Sequence, residues 1–408
     1  MEDILAVATK LDNPQMELLL LRSCLGVPKI NFLLRTLKPE NIWDSIKHID
    51  SVLAVALGSI IGGSHQTSFD QTTREIIHLP LRLGGLAIPQ VSTLAHSAYL
   101  GARIDYYNSL LNSSEKDAAL RELQMLFSAW KGRFVPSKVD LKLEDILEQP
   151  KPQHYLSTTI SNYRYLALVE SLPDTLMKSR IVSNAESQSR WILVYPTFGS
   201  SARNFPPLLF QIALRFWLGL PLGIFPSNNP KQSFRCKCGK SSDIFGVHLS
   251  RCNKLHATVH RHLVKLLMRH MTDAHMDVVD EPPDLLQDGS RDRPADLLYT
   301  PNTNYHARKV CYDVTFTSYV NTFEAATLRK LKKYEERCQK VGLQFVPLPV
   351  NSLGRLGFQF DPLINDIGKA KAYRTETNPK IVVKEIRTDI QFQVLKELTR
   401  NMWMIAAH

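Results

Sequence analysis

The chain has 408 residues, of which 44% are hydrophobic, and its basic residues exceed its acids to give a formal net charge of +11. This length predicts two or three packed units, and the apolar fraction excludes a disordered chain. The positive charge favours a polyanionic partner, nucleic acid before a membrane surface. No apolar run is long enough to span a bilayer, and the first ten residues lack a secretory signal pattern. We therefore expect an intracellular or nuclear, non-secreted protein.

The first 190 residues are predicted to be helical, because apolar residues recur there at helical spacing. We divide this half into a helical segment at 1–107 and a charged helical linker at 108–190. A third segment, 191–235, contains an apolar helix from Phe210 that ends near Gly219 and Pro221. A linker rich in proline, serine, asparagine and lysine follows at 226–233 and predicts a boundary before the cysteines.

Residues 257–370 alternate between helical and strand patterns. The predicted elements are a helix at 258–271, strands at 276–279, 295–299 and 309–317, a helix at 323–339, and a strand at 344–347. Their order is α-β-β-β-α-β, so the predicted fold class is α+β with an all-helical N-terminal half. The last segment, 371–408, ends in a predicted helix from Ile390 to Met404.

Three of the six cysteines lie close together with a histidine. Cys236-x-Cys238 and His248-x-x-x-Cys252 supply four soft ligands. Positions two apart share a side on a strand, and positions four apart share a face on a helical turn, so each pair can converge. A closed Cys₃His set is typical of a structural zinc site, and we assign 236–256 to a CCHC zinc knuckle. His256 is an alternative fourth ligand, and buried thiols without a metal are the competing interpretation.

Basic residues surround this cluster, and Asp243 is the only acid between positions 231 and 269. Such a density of positive charge beside a zinc module favours contacts with nucleic-acid phosphates. A solvated basic face is the alternative. The candidate phosphate-binding residues are Lys237, Lys240, Arg251, Lys254, Arg261, Lys265 and Arg269.

Two aspartates lie in segments that otherwise have strand patterns. Asp296 precedes Leu-Leu-Tyr, and Asp313 lies in Val-Cys-Tyr-Asp-Val-Thr-Phe-Thr, where alternation puts Asp313 and Thr315 on one face. An acid among β-branched and aromatic residues needs a partner or a metal. Two such acids on a paired hairpin predict a Mg²⁺ site, because Mg²⁺ prefers oxygen ligands.

A lysine beside these acids would complete a site for phosphodiester hydrolysis, in which a metal lowers the pKa of bound water. The helix at 323–339 offers Lys330 and Lys333, which neighbour each other on the helix surface. Glu281, at the end of the first strand, is a candidate further ligand or orienting carboxylate. Turn acids and a solvated lysine face are the competing interpretation, and spacing alone does not decide between them.

The element order and the two strand acids resemble the PD-(D/E)XK nuclease superfamily. The motifs Cys-x-Cys-Gly, Gly-x-His, Arg-Pro-Ala-Asp, Asp-Val-Thr-Phe-Thr-Ser and Lys-Leu-Lys-Lys-Tyr are similar to the restriction-like endonuclease regions of site-specific non-LTR retrotransposons. The resemblance implies that Asp296 and Asp313 bind the catalytic metal. It also implies that the lysine usually found two residues after the second acid, at Thr315 here, has moved to the following helix, at Lys330 or Lys333.

The upstream chain has a weaker resemblance to the same polyproteins. The segment 79–86, Leu-Pro-Leu-Arg-Leu-Gly-Gly-Leu, looks like the thumb and linker that follow the reverse-transcriptase palm, and 213–221 looks like the stretch before the knuckle. The palm's Tyr-x-Asp-Asp loop is absent from this chain. The resemblance therefore implies a DNA-nicking endonuclease without polymerase activity, with DNA and element RNA as partners. A non-catalytic nucleic-acid-binding protein and an inert remnant are the alternatives.

Overall fold

The computed structural model describes residues 11–62, 69–173, 176–186, 204–224, 234–301 and 308–406. The predicted linker at 226–233 and the first part of the 191–235 segment lie outside these ranges. The chain forms two units, Met1–Ala185 and Glu186–His408. The fold is mixed α and β, mostly helical, with one four-stranded mixed sheet, so the α+β class is confirmed. Among the described residues, no helix combines the length and hydropathy needed to cross a membrane.

The described part of the first unit is helical, as predicted. The helical pattern near the start of this unit is interrupted at Gly26, where a Cβ atom would lie 2.5 Å from the carbonyl oxygen of Leu21. The helices are α1 Pro14–Leu20, α2 Val27–Thr36, α3 Trp43–Ile60, α4 Gln71–His78, α5 Val91–Ser109, α6 Ser113–Phe134, α7 Leu143–Leu147, α8 Pro152–Ser171 and α9 Leu176–Glu186.

One hydrophobic core in the first unit spans the segment boundary predicted between residues 107 and 108. Leu100 and Ile104 of α5 pack with Leu123 and Trp130 of α6 and with Ile160 of α8. Helices on both sides of the predicted boundary therefore belong to one unit. Helical periodicity identifies the apolar face of each helix but does not identify the helix against which that face packs.

The second unit contains the α-β-β-β-α-β order that the sequence predicted, from α11 to β6. A helix at 360–375, which the sequence analysis did not predict, follows this core. The elements are α10 Pro207–Leu218, β1 Phe234–Arg235, β2 Ser241–Ser242, α11 Asn253–Asp273, β3 Asp277–Asp280, β4 Leu297–Thr300, β5 Val310–Thr317, α12 Phe323–Lys340, β6 Gln344–Asn351, α13 Phe360–Thr375 and α14 Pro379–Ala406.

The four-stranded sheet has the order β3-β4-β5-β6. Strand β4 is antiparallel to both β3 and β5, and β6 is parallel to β5. A parallel pair needs a crossover connection, and α12 provides it. Tyr334 and Cys338 of α12 pack against Cys311 of β5 and Phe345 of β6. This packing fixes one face of α12 against the strand that carries Asp313.

The C-terminal helix α14 is part of the core of the second unit. Ile390, Leu395, Leu398 and Met402 are completely buried, and the ring of Phe392 lies 4.5 Å from that of Phe205. The helix is longer than the predicted 390–404 because it begins at Pro379, a residue well suited to the first turn of a helix.

Candidate functional site

The four predicted zinc ligands converge on one point. The Sγ atoms of Cys236 and Cys252 are 3.5 Å apart, and Sγ of Cys238 is 3.3 Å from Nε2 of His248. All four ligand atoms lie within 4.8 Å of one another. Because tetrahedral bonds of about 2.0–2.3 Å hold ligand atoms roughly 3.3–3.8 Å apart, this Cys₃His cluster can hold a metal ion such as zinc.

A tight turn brings Cys236 and Cys238 together. The amide of Cys236 donates to the carbonyl of Lys240 at 2.9 Å, and the amide of Gly239 donates to the carbonyl of Cys236 at 2.8 Å. Gly239 has a φ of +85°, a conformation that favours glycine. The prediction that this pair lies on a strand was therefore wrong, because Cys236 follows β1 and the chain turns immediately.

The thiols differ in their electrostatic surroundings. Burial raises the pKa of Cys236 to about 11. The backbone hydrogen bond from Lys240 lowers the pKa of Cys238. Because zinc binds the thiolate form, metal binding at this cluster releases protons.

Asp243, the single acid of the basic region, shapes the loop that carries His248. Its carboxylate accepts hydrogen bonds from the amides of Phe245, Val247 and His248 at 2.9, 3.1 and 3.0 Å. A short 3₁₀ turn follows at 249–251, and Cys252 comes directly before α11. His248 and Cys252 are therefore brought together by a helical turn, as the sequence predicted.

His256, the alternative ligand, lies outside the cluster. Its Nε2 lies 2.8 Å from the carbonyl oxygen of Ser250, and its ring packs 4.5 Å from that of Phe316 on β5. Burial lowers its pKa. His256 therefore connects the first turn of α11 to the sheet.

A second cluster of polar groups surrounds Asp313, a carboxylate on β5 that is only 4% exposed. The amine of Lys330 donates to its Oδ1 at 2.9 Å, and the hydroxyl of Thr315 donates to its Oδ2 at 3.0 Å. Burial raises the pKa of Asp313; the charge of Lys330 opposes this shift and that of Asp296 adds to it. The predicted face shared by Asp313 and Thr315 is confirmed.

Asp296 lies immediately before β4 and beside Asp313. Its amide donates to the carbonyl of Tyr312 on β5 at 2.9 Å, and its charge contributes to raising the pKa of Asp313. The amide of Val314 donates to Oδ2 of Asp296 at 2.6 Å. The structure therefore brings the two predicted aspartates close together, Asp313 on β5 and Asp296 immediately before β4.

Sequence reasoning missed His260, which contacts Asp296 from α11. Its Nε2 lies 3.0 Å from Oδ2 of Asp296. Burial acts to lower the pKa of His260, but its hydrogen bond to Asp296 and the charges of both aspartates outweigh burial and raise it. The available signal was its position four residues after His256, on the same face of one helix.

The two candidate lysines have different partners. The amine of Lys330 contacts Asp313, whereas the amine of Lys333 lies 3.0 Å from Asp292 and 4.6 Å from the ring centre of Tyr334. The geometry therefore places Lys330, and not Lys333, beside the aspartate pair.

Ion pairs from α12 hold the loop that leads to Asp296. The guanidinium of Arg337 lies 2.7 Å from carboxylate oxygens of both Asp288 and Asp292. Arg337 also donates to the hydroxyl of Ser290 at 2.7 Å. The same helix thus contacts Asp313 through one side chain and fixes this loop through another.

Glu281 stands where β3 ends, with a φ of +39°. Its amide donates to the carbonyl of Asp296 at 3.0 Å, and its exposed carboxylate forms an ion pair with Arg293 at 3.2 Å. Its backbone is therefore next to Asp296, and a role for its side chain as a further ligand stays a prediction.

All seven predicted phosphate-binding residues are exposed. Arg261, Lys265 and Arg269 follow one another at four-residue spacing on α11, so each step advances about 6 Å along one helix face. Within the described ranges, none of these three has an ion-pair partner. We call Arg261, Lys265 and Arg269 the basic stripe.

Comparison with known proteins does not assign the chain to a family: no family model matches it, and no curated protein matches it. The case for its function therefore depends on the geometry of the two polar clusters and on the charge around them.

Replacing Cys238 by serine tests the metal cluster. We expect the parent chain to carry about one zinc ion and Cys238→Ser to bind zinc more than about 100-fold more weakly, because loss of a ligand costs more than loss of an outer-shell partner. Zinc content measured by mass spectrometry of the purified chain checks this. Cys24→Ser, which changes an exposed thiol of the first unit, is the control. Equal zinc content in both variants would contradict the assignment.

Replacing Arg337 by methionine tests the loop network through its pH dependence. Hydrogen bonds from Ser290 and Arg337 lower the pKa of Asp288 from 3.8 to about 2, and Arg337 lowers that of Asp292. A carboxylate whose pKa falls on folding stabilises the fold above its unfolded pKa, and this contribution is lost as the pH falls through the folded pKa. The Tm difference between parent and Arg337→Met should therefore be constant near neutral pH and shrink below about pH 4.

The control for this experiment is Arg269→Met, since Arg269 has no ion pair among the described residues. Its Tm difference from the parent should show no such loss in acid. If the Tm difference between the parent and Arg337→Met stayed unchanged down to about pH 2, Asp288 and Asp292 would not be the stabilising partners of Arg337.

Proposed function

We propose that the second unit is a Mg²⁺-dependent DNA endonuclease of the PD-(D/E)XK type, related to the restriction-like endonucleases of site-specific non-LTR retrotransposons. One observation carries this proposal: Asp296, immediately before β4, lies beside Asp313 on β5, and the amine of Lys330 is 2.9 Å from Asp313. The α-β-β-β-α-β order of the surrounding elements supports it.

The aspartate pair suits a hard divalent cation. Oδ1 of Asp296 has no hydrogen-bond partner in the described ranges, and the oxygens of Asp313 retain lone pairs beyond their bonds to Lys330 and Thr315. Two carboxylates close together repel each other, and burial adds to the cost of their charge. Bound Mg²⁺ would supply a Lewis acid and lower the pKa of a coordinated water.

The neighbouring side chains have distinct roles in this proposal. Lys330 stabilises negative charge that develops on the phosphate and orients the attacking water. His260 is a positioning residue that fixes the orientation of the Asp296 carboxylate. Thr315, which occupies the usual lysine position of the superfamily, holds Asp313 by its hydroxyl. Glu281 remains a candidate for a further ligand.

The exposed basic residues support a nucleic-acid substrate. The basic stripe lies on the helix that carries His260, and the zinc cluster adds Lys237, Lys240 and Arg251 near its start. Lys254 donates to the carbonyl of Lys237 at 3.0 Å, which ties the knuckle turn to α11. We propose that this surface binds the phosphates of DNA and, as a second partner, of the element's RNA.

A non-catalytic nucleic-acid-binding protein is the second candidate function. Two observations favour it. The basic stripe has no acidic partner in the described ranges, and the ion pair with Lys330 also satisfies the buried charge of Asp313 without a metal. Binding without cleavage by the parent chain would select this alternative.

Nicking of supercoiled plasmid DNA tests the catalytic assignment. We expect the parent to nick DNA in Mg²⁺ and not in chelator. Asp296→Asn and Asp313→Asn should lower the rate at least about 100-fold, since they remove metal ligands. Lys330→Met should lower it by about 100-fold or more, and Lys333→Met by less than about threefold.

The matched control is Asp277→Asn, an exposed acid on β3. It should nick at the parental rate. Equal nicking by Asp296→Asn and the parent would reject the assignment of the aspartates. Equal losses from Lys330→Met and Lys333→Met would reject the choice of Lys330.

DNA affinity measured across salt concentrations tests the basic stripe. Each of Arg261→Ala and Lys265→Ala should reduce the slope of log affinity against log salt by about one, because one phosphate contact is lost. Lys340→Ala is the control, since the amine of Lys340 pairs with Glu336 at 2.8 Å. Unchanged slopes in both stripe variants would exclude the stripe from the interface.

A further inference from the structure

A groove of about 450 Å³ lies between the start of α12, the loop after β6, and α14. Its volume is within the range of small-molecule sites. We call it the Phe358 groove. The lining residues that matter here are Phe323, Thr327, Arg355, Phe358, Gln359 and Arg387.

Flat surfaces form part of the groove wall. Phe358 is 79% exposed, an unusual state for a phenylalanine. The guanidinium of Arg355 lies 4.9 Å above the ring centre of Phe323. Aromatic rings and arginine planes are the surfaces on which unstacked nucleobases pack.

The groove also contains polar atoms without partners. Within the described ranges, Thr327 Oγ1 and Gln359 Oε1 make no hydrogen bond although both atoms are buried. Such groups are costly to leave unpaired. Both residues line the groove, so a change in the χ1 torsion of Thr327 and in the terminal amide torsion of Gln359 would turn these oxygens toward a bound molecule. A ligand with N–H groups along one edge would satisfy them.

The loop that carries Phe358 and Gln359 is held in place before any ligand binds. The side-chain oxygen of Asn351 accepts from the amides of Leu353 and Arg355, both at 3.0 Å. The amide of Gly357 donates to the carbonyl of Pro349 at 2.8 Å. A Cβ on Gly357 would lie 2.7 Å from Gln359 Oε1, so glycine makes room for the amide.

The charges of the groove fit an uncharged ring better than a phosphate. The guanidinium of Arg387 pairs with Asp361 at 2.6 Å, and Glu324 also lines the cavity. Thr327 is three residues before Lys330 on α12, about 4.5 Å along the helix axis. Residues three apart are neighbours on a helix surface, so Thr327 in the groove wall is close to Lys330, where we place the phosphate.

We propose that the Phe358 groove takes one nucleobase of the bound strand, unstacked from its neighbours and adjacent to the phosphate at Lys330. The proposal rests on the nuclease function proposed above and adds a base subsite to it. Phe358 stacks on the base, and Thr327 and Gln359 bond to its edge. Every natural base offers an N–H there, so the subsite requires a base without selecting a particular one.

Single-stranded oligodeoxynucleotides with one abasic residue, placed at each position in turn, test the proposal with the full chain. We expect one position at which the abasic residue weakens binding to the parent about tenfold, or ~1.4 kcal/mol. Phe358→Ala should weaken binding of the intact oligonucleotide by a similar factor. This variant should bind the intact and the abasic oligonucleotide with equal affinity. Gln359→Leu should reduce the difference between the intact and the abasic oligonucleotide by about threefold.

Tyr373→Ala is the matched control, because Tyr373 is 89% exposed on α13 and does not line the groove. It should keep the parental discrimination. The proposal would be overturned if Phe358→Ala and Gln359→Leu both kept the parental ratio of affinities for intact and abasic oligonucleotides. It would also be overturned if no abasic position weakened binding to the parent.

The outcomes separate this proposal from the nuclease assignment. If the parent does not nick DNA but Phe358→Ala loses the abasic effect, the groove is supported as a base-binding site and only the catalytic assignment fails. If the parent nicks DNA and Phe358→Ala discriminates as the parent does, only the groove proposal fails.

Discussion

The second unit is organised around one buried carboxylate and its amine. Asp313 lies in the interior of the sheet, where an unpaired charge is unfavourable, and Lys330 reaches it from the crossover helix. That helix can present its amine only if Tyr334 and Cys338 pack against the strands beneath it. The pairing of β5 with β6, the position of α12 and the geometry of the polar site therefore depend on one another.

The Cys₃His cluster is connected to the same site through α11. Its last ligand, Cys252, directly precedes α11, and one and two turns later that helix places His256 against Phe316 and His260 against Asp296. A metal bound at the cluster fixes the beginning of α11, and structural zinc contributes about 10–16 kcal/mol of apparent binding energy in small modules. A metal ion in the cluster would therefore also stabilise the orientation of a carboxylate in the second cluster.

Much of this arrangement could be predicted from local patterns. The spacing of Cys236, Cys238, His248 and Cys252 identified the cluster, and strand alternation put Asp313 and Thr315 on one face. Properties that depend on packing could not be predicted. His260 is one of several histidines on an amphipathic helix, and the choice of Lys330 over Lys333 depends on how α12 is rotated against the sheet. The turn after Cys236 is set by backbone hydrogen bonds that leave little trace in composition.

The position of the amine on a helix has a consequence for how this sequence can vary. The direction of a lysine side chain on β5 would be set by the two-residue alternation of the strand. The direction of Lys330 is set instead by the rotation of α12 about its axis. Tyr334 and Arg337 follow Lys330 at intervals of about one turn, so the same rotation sets their directions. A single-residue insertion near the start of α12 would rotate all three side chains by about 100° together. A change in length near the start of α12 would therefore disturb three contacts at once, whereas the strand is free to carry threonine beside its aspartate.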